Sequence, residues 1–207
     1  MTKTVRFIGD IHGKYAHYLM RIVGVEESVQ VGDYGFGFEK AEKIDNIYAF
    51  GKGKHRMIRG NHDDPDEAIK SKHFIPDGTV EGNVMFIGGA ASIDRAVRTE
   101  GVSWWAGEES SEEELEKLVQ KYVSVKPEIL VTHECTNLVA DRVMIPAVNG
   151  LSNFKSRTRE AFDRMYAISA PRLHIFGHWH VDMKFRYGLT DFVCLNELSY
   201  VDVEVEE

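Results

Sequence analysis

Two cysteines, Cys135 and Cys194, with no C-x-x-C pair between them, leave this chain without a disulfide framework, a zinc ribbon or a dithiol redox motif. Long apolar runs are missing too. No stretch approaches the roughly 20 consecutive apolar residues of a membrane-spanning helix, and Met1 to Asp10 enters a strand-like run without a basic-then-apolar leader. Membrane insertion and secretion are therefore not expected, and a reducing cytoplasm is the expected setting. Basic residues are not in excess: the formal charge of -8 argues against a surface that coats nucleic acid, because such binding places Lys and Arg against many phosphates. A local phosphate site stays open. No fixed-period repeat, low-complexity segment or linker divides the chain, which reads as one domain over residues 1–207. Its 43% hydrophobic and 28% charged residues supply apolar mass for one core. Histidine usage stands out, with nine in all and several beside Asp, Asn or Gly.

Short apolar runs alternate with helix-period segments. Strands are predicted at 5–8, 28–31, 56–59, 84–87, 129–131 and 173–176. Helices are predicted at 14–23, 39–50, 64–71, 110–122 and 154–168, with Pro65 and neighbouring acids in the first turn of the third. Ser110 and Ser111, each three residues before a glutamate, form overlapping capping boxes for the fourth. Residues 90–110 read as a long loop and 134–153 as irregular, while 183–205 alternates like antiparallel strands. Repeated βα units followed by terminal strands predict an α/β sandwich with mixed sheets.

Five polar clusters each follow an apolar strand: Asp10-Ile11-His12, Gly32-Asp33, Gly60-Asn61-His62-Asp63, His133, and Gly177-His178-Trp179-His180. Ends of parallel strands are where α/β proteins gather ligand sites. Imidazole, carboxylate and amide oxygen together suit borderline and hard divalent ions, and thiolates are absent from the set. In the Asp-x-His and His-x-His pairs, alternate residues of an extended chain point the same way, so each pair can offer two ligands. The glycines allow tight departure from the strands.

The ordered series D-x-H, G-D, G-N-H-[DE], H and G-H-x-H, present here from residue 9 to residue 180, resembles that of the calcineurin-like metallophosphoesterases. The resemblance implies a four-layer α/β sandwich of two mixed β-sheets flanked by helices. It also implies two divalent metal ions, Mn²⁺ first and Fe, Zn, Ni or Mg as alternatives. One ion would be held by Asp10, His12 and His180, the other by Asn61, His133 and His178, with Asp33 bridging. Hydrolysis would proceed by in-line attack of a hydroxide between the ions, with His62 on the leaving-group side as the catalytic imidazole and Asp63 orienting it. His17, His55, His73 and His174 lie outside the motifs and read as structural or surface residues.

The substrate implied is a phosphate ester. Gly32-Asp33-Tyr34-Gly35-Phe36-Gly37 lacks the arginine of the G-D-x-x-D-R-G motif by which the Ser/Thr protein phosphatase branch grips a monoester phosphate. That departure favours a phosphodiester or nucleotide substrate, with a protein phosphatase or other monoesterase as the alternative and a non-catalytic metal-site scaffold as a further one. Asn61 and Arg95 are candidate substrate contacts, with Arg98, Arg157 and Arg159 ranked after Arg95. Trp104, Trp105 or Tyr34 could stack on a base. Cys135, two residues after His133, reads as a packed thiol, and the glycines from 32 to 37 as a flexible loop. Lys52, Lys54, His55 and Arg56 read as a solvated basic patch.

Overall fold

A computed structural model describes residues 1–48, 51–148 and 154–206. In chain order the elements are β1 (Thr2–Ile8), α1 (Tyr15–Ile22), β2 (Glu27–Gln30), α2 (Ala41–Tyr48), β3 (Lys54–Met57), α3 (Pro65–Ala68), β4 (Thr79–Glu81) and β5 (Val84–Ile87). The second half adds α4 (Glu112–Val125), β6 (Ile129–Thr132), α5 (Asn137–Val139), α6 (Ile145–Val148), α7 (Arg157–Ile168), β7 (Leu173–Phe176), β8 (Met183–Tyr187), β9 (Thr190–Cys194) and β10 (Tyr200–Glu206).

The strands form two mixed sheets, ordered β10-β1-β2-β3 and β4-β5-β6-β7-β9-β8. β1, β2 and β3 run parallel, as do β5, β6, β7 and β9, while antiparallel β10, β4 and β8 close the edges. Strand alternation decides the layers. Val84, Phe86, Ile129 and Val131 point between the sheets and pack with Val5, Phe7 and Val29, whereas Met85, Ile87 and Leu130 face outward. Leu115, Leu118 and Val119 of α4 and Ala161, Phe162 and Met165 of α7 cover that outer face. On the opposite side Tyr18 and Ile22 of α1 and Ala41 and Ile44 of α2 cover Ile8 and Met57. The resulting order of helices, sheet, sheet and helices is the predicted four-layer sandwich, held by side chains whose full burial contributes about 1.5–3 kcal/mol each.

Local chemistry accounts for the helix ends. Ser111 caps α4 through the Glu114 backbone N–H while the Glu114 carboxylate accepts from the Ser111 backbone N–H, so one of the two predicted capping boxes forms. Asp64 caps α3 ahead of Pro65.

The irregular reading of 134–153 is corrected. Residues 134–136 are irregular as expected, but 137–148 are helical, passing from α5 through a π-helical turn at Ala140–Met144 into α6, and positions 149–153 lie outside the described residues. The π turn shifts the apolar face and hides the 3.6-residue period, although Thr136, which accepts from the Val139 backbone N–H, is a legible cap. Helix α2 ends at Tyr48, and positions 49 and 50 of its predicted span lie outside the described residues. At the C-terminal end, β9 pairs antiparallel with β8 but parallel with β7, and β10 crosses to the other sheet beside β1. No helix among the described residues is long and apolar enough to cross a membrane.

Candidate metal centre

All five motif clusters leave the C-terminal ends of parallel strands at one edge of the sandwich: those holding Asp10, Asp33 and Asn61 from β1, β2 and β3, and those holding His133 and the His178–His180 pair from β6 and β7. A bond between sheets sets the first ring. His133 Nδ1 donates to the Val31 carbonyl at 2.8 Å, which turns its Nε2 toward Asn61 Oδ1 at 3.0 Å and Asp33 Oδ1 at 3.4 Å. His178 Nδ1 approaches the same Asn61 oxygen at 2.9 Å. The Asn61 amide is oriented by Ser92, whose Oγ accepts from Asn61 Nδ2 at 2.9 Å and is itself held by the buried Glu108 carboxylate.

Beside this group lies a second one. Asp10, His12, Asp33 and His180 bring one ligand atom each to within 4.8 Å of one another. His12 Nε2 and His180 Nε2 are 2.9 Å apart, and His180 Nε2 is 3.1 Å from Asp10 Oδ2. Asp33 belongs to both groups, with Oδ1 toward His133 and Oδ2 3.7 Å from His12 Nε2. The structure thus brings together all seven residues expected to ligate metal.

The donor chemistry fits cations. Asp10 and Asp33 are fully buried or nearly so, and Asp33 Oδ2 is a buried oxygen without a hydrogen-bond partner among the described residues. An unpaired buried carboxylate oxygen is costly unless a positive charge meets it. Around Asn61 Oδ1 stand His133 Nε2 and His178 Nδ1, and in the deprotonated form that binds metal both nitrogens would turn a lone pair toward the place a cation shares with that oxygen. Burial alone lowers the His133 imidazole, but the Asp33 and Asp10 carboxylates outweigh it and push it up to about 10. Burial lowers His178 to about 4, leaving the neutral imidazole that binds metal. His12, Asp33, His178 and His180 all adopt positive φ, at 44°, 58°, 68° and 51°. Such backbone costs on the order of 1–3 kcal/mol per residue and collects where structure is spent on a site.

Two of the motif glycines act by close approach. A Cβ at Gly60 would sit 2.0 Å from Asp33 Oδ1, and one at Gly177 would sit 2.2 Å from Asp10 Oδ1. Gly60→Ala is therefore expected to push Asp33 aside and weaken metal binding about tenfold or more, with about 1–3 kcal/mol lost from overpacking. Calorimetric metal titration and urea unfolding read the two effects.

Several neighbours differ from the sequence reading. Asp63 does not reach the His62 ring: its carboxylate accepts from the backbone N–H groups of Tyr34, Gly35, Phe36 and Gly60. It thereby fixes the glycine-bearing loop after Asp33, which read as flexible. The His62 ring is met instead by Arg98, Nη1 to Nδ1 at 2.7 Å, and the His62 backbone N–H donates to Asp33 Oδ1. Arg95 is exposed and does not line the cavity at the centre, whereas Arg98 does. Tyr34 and Trp105 are buried in packing, so the aromatic side chains at that cavity are Phe154 and Trp179. Cys135 is buried and its thiol is pushed well up by burial, as a packed cysteine should be. Lys54, His55 and Arg56 belong to β3; His55 is buried, and Arg56 pairs with Glu81 and Glu27.

The sequence reading missed Glu134. It is fully buried, accepts from Arg159 Nε at 2.7 Å, Trp179 Nε1 at 2.9 Å and the Cys135 backbone N–H, and stands 3.6 Å from His178 Nε2. Arg159 holds that carboxylate down to about 2 against the upward push of burial. A charged residue directly after the β6 motif histidine was the only sequence signal, since its partner Arg159 lies on α7. Glu197, which pairs with Lys14 and lies 3.7 Å from His180 Nδ1, was missed as well.

The family whose sequence model matches residues 3–182 is described as calcineurin-like phosphoesterase, and the chain belongs to it. No curated protein matches the sequence. Among solved structures, one from Staphylococcus aureus described as a "Putative 5'-Nucleotidase", in complex with alpha-ketoglutarate, matches with a TM-score of 0.59 and 11% identity. The match covers 99% of this chain and 51% of that one, so the chain spans about half the solved protein's length, and the likeness is one of fold.

Proposed function

We propose that the chain hydrolyses nucleotide-type phosphate esters, phosphodiesters included, with two divalent ions, Mn²⁺ the first choice, as cofactor. The observation that carries this reading is the pair of side-chain groups sharing Asp33, whose buried Oδ2 lacks a hydrogen-bond partner among the described residues. Bound there, the ions supply positive charge to the phosphoryl oxygens and to the developing transition-state charge. The chain's own residues do the rest. Asp33 and Asp10 hold the charge, Asn61 and the imidazoles of His12, His133, His178 and His180 complete the ligand sets, and His62 holds a proton or hydrogen bond for the leaving oxygen. A cavity of about 250 Å³ opens beside Asp33, Asn61 and His62, with Ile145, Phe154 and Trp179 on its apolar side. Such walls suit a nucleobase or another flat group, and the nucleotidase description of the solved neighbour agrees with that class. A monoesterase is the second reading, favoured by the placement of Arg98 in this cavity.

Metal-stripped protein resupplied with Mn²⁺ and assayed on bis-p-nitrophenyl phosphate and p-nitrophenyl phosphate tests the proposal. Metal-dependent cleavage of the diester is expected. Cleavage of the monoester alone replaces the diester reading by the monoesterase, and a metal-loaded protein inert toward both and toward a nucleotide panel overturns the proposal.

A further inference from the structure

The diester preference drawn from sequence rests on one missing arginine, and the fold brings another, Arg98, into the cavity beside Asp33, Asn61 and His62. Arg98 follows a short 3₁₀ turn at Arg95–Val97 in the loop between β5 and α4, far in sequence from the Asp33 motif. Its guanidinium is fixed from behind by Asp94, which accepts from Nε and Nη2 at 2.7 Å each, and from the side by the Ser103 carbonyl at 3.1 Å. That grip aims the Nη1–Nη2 fork at His62, with Nη1 2.7 Å from Nδ1 and Nη2 3.3 Å from Nε2. The loop carrying it is tied down in turn, because Glu108 accepts from both the backbone N–H and the hydroxyl of Ser92.

A planar fork held by a carboxylate at its back and facing a metal centre suits an oxygen pair of a phosphoryl group. We infer that Arg98, oriented by Asp94, grips an unesterified phosphate oxygen of the substrate, and that the preferred substrate class is a terminal phosphoryl group borne on an apolar or aromatic organic group. A monoester carries three unesterified oxygens, so two can face the metal ligands while the third meets Arg98. A diester carries only two, and both belong to the metal side. Ile145, Phe154 and Trp179 then receive the organic group. On binding, the phosphate takes the fork from His62 and leaves that ring free toward the leaving oxygen. The inference rests on the phosphoesterase reading of the same site and settles which ester it favours.

The test compares wild type with Arg98→Ala and Arg98→Lys, all loaded with Mn²⁺. It uses the same two nitrophenyl substrates and a calorimetric titration with inorganic phosphate, which needs no turnover. Charged hydrogen bonds of this kind are worth about 1.5–3 kcal/mol, so Arg98→Ala is expected to lower kcat/KM about 100-fold for the monoester and under about fivefold for the diester. Phosphate affinity should fall about tenfold or more, and Arg98→Lys should recover only part of it, because lysine keeps the charge without the fork. Equal losses on the two esters, or phosphate affinity unchanged by Arg98→Ala, would overturn the assignment. If wild type cleaves neither ester, the phosphoesterase reading fails on those substrates and the phosphate titration alone decides the role of Arg98.

Discussion

Replacing Asp33 with asparagine is expected to reduce bound Mn²⁺ from two ions per chain to one or none, and to lower turnover by about 10³-fold or more. The change is nearly isosteric, so its effect is one of charge. Asp33 is the one carboxylate that both ligand groups share, with Oδ1 toward His133 and Oδ2 toward His12. An amide would place a donor N–H₂ or a weakly charged oxygen where each group presents an anionic one. Metal counted by inductively coupled plasma spectrometry after gel filtration reads the first effect. An Asp33→Asn protein that retains two ions per chain at wild-type affinity would contradict the shared role.

His62→Ala should behave in the opposite way. The ring belongs to neither ligand group, its Nε2 standing 4.0 Å from Asp33 Oδ2, and the hydrogen bond to Asp33 Oδ1 comes from the His62 backbone N–H, which alanine preserves. Metal content is expected to stay at the wild-type value while kcat falls about 10²–10⁴-fold, the usual worth of a positioned proton donor. A leaving group as acidic as p-nitrophenol needs less protonation, so the loss should be larger on an alkyl ester than on a nitrophenyl ester. Equal metal loss in Asp33→Asn and His62→Ala would remove the division between ligand and acid on which this account depends.

The gathering of the motif residues was legible because each motif sits directly after an apolar strand, where the residue number fixes the place. Parallel strands carry their C-terminal ends to one edge, so local motifs become a spatial cluster without further information. The two layers of helices were legible for a similar reason: Leu115, Leu118 and Val119 keep the helical period, and Ser111 with Glu114 marks where it begins. Failures came where the determining partner is distant in sequence. Asp63 lies beside His62, yet its carboxylate is consumed by the backbone N–H groups of the 34–36 loop. Arg95 and Arg98 share a loop, and only the turn at Arg95–Val97 and the grip of Asp94 decide which one faces the centre. Glu134 is a buried acid only because Arg159 arrives on α7 to pair with it. The helical stretch from 137 to 148 was hidden by its π turn, which breaks the period that sequence reading depends on.

The most direct test of the central claim is the rate of p-nitrophenyl ester hydrolysis by metal-free protein as Mn²⁺ is added in measured equivalents. Two ligand groups joined through Asp33 predict negligible rate without metal and a rise that saturates at two equivalents per chain. Full activity at one equivalent, or substantial activity with none, would contradict a dinuclear centre.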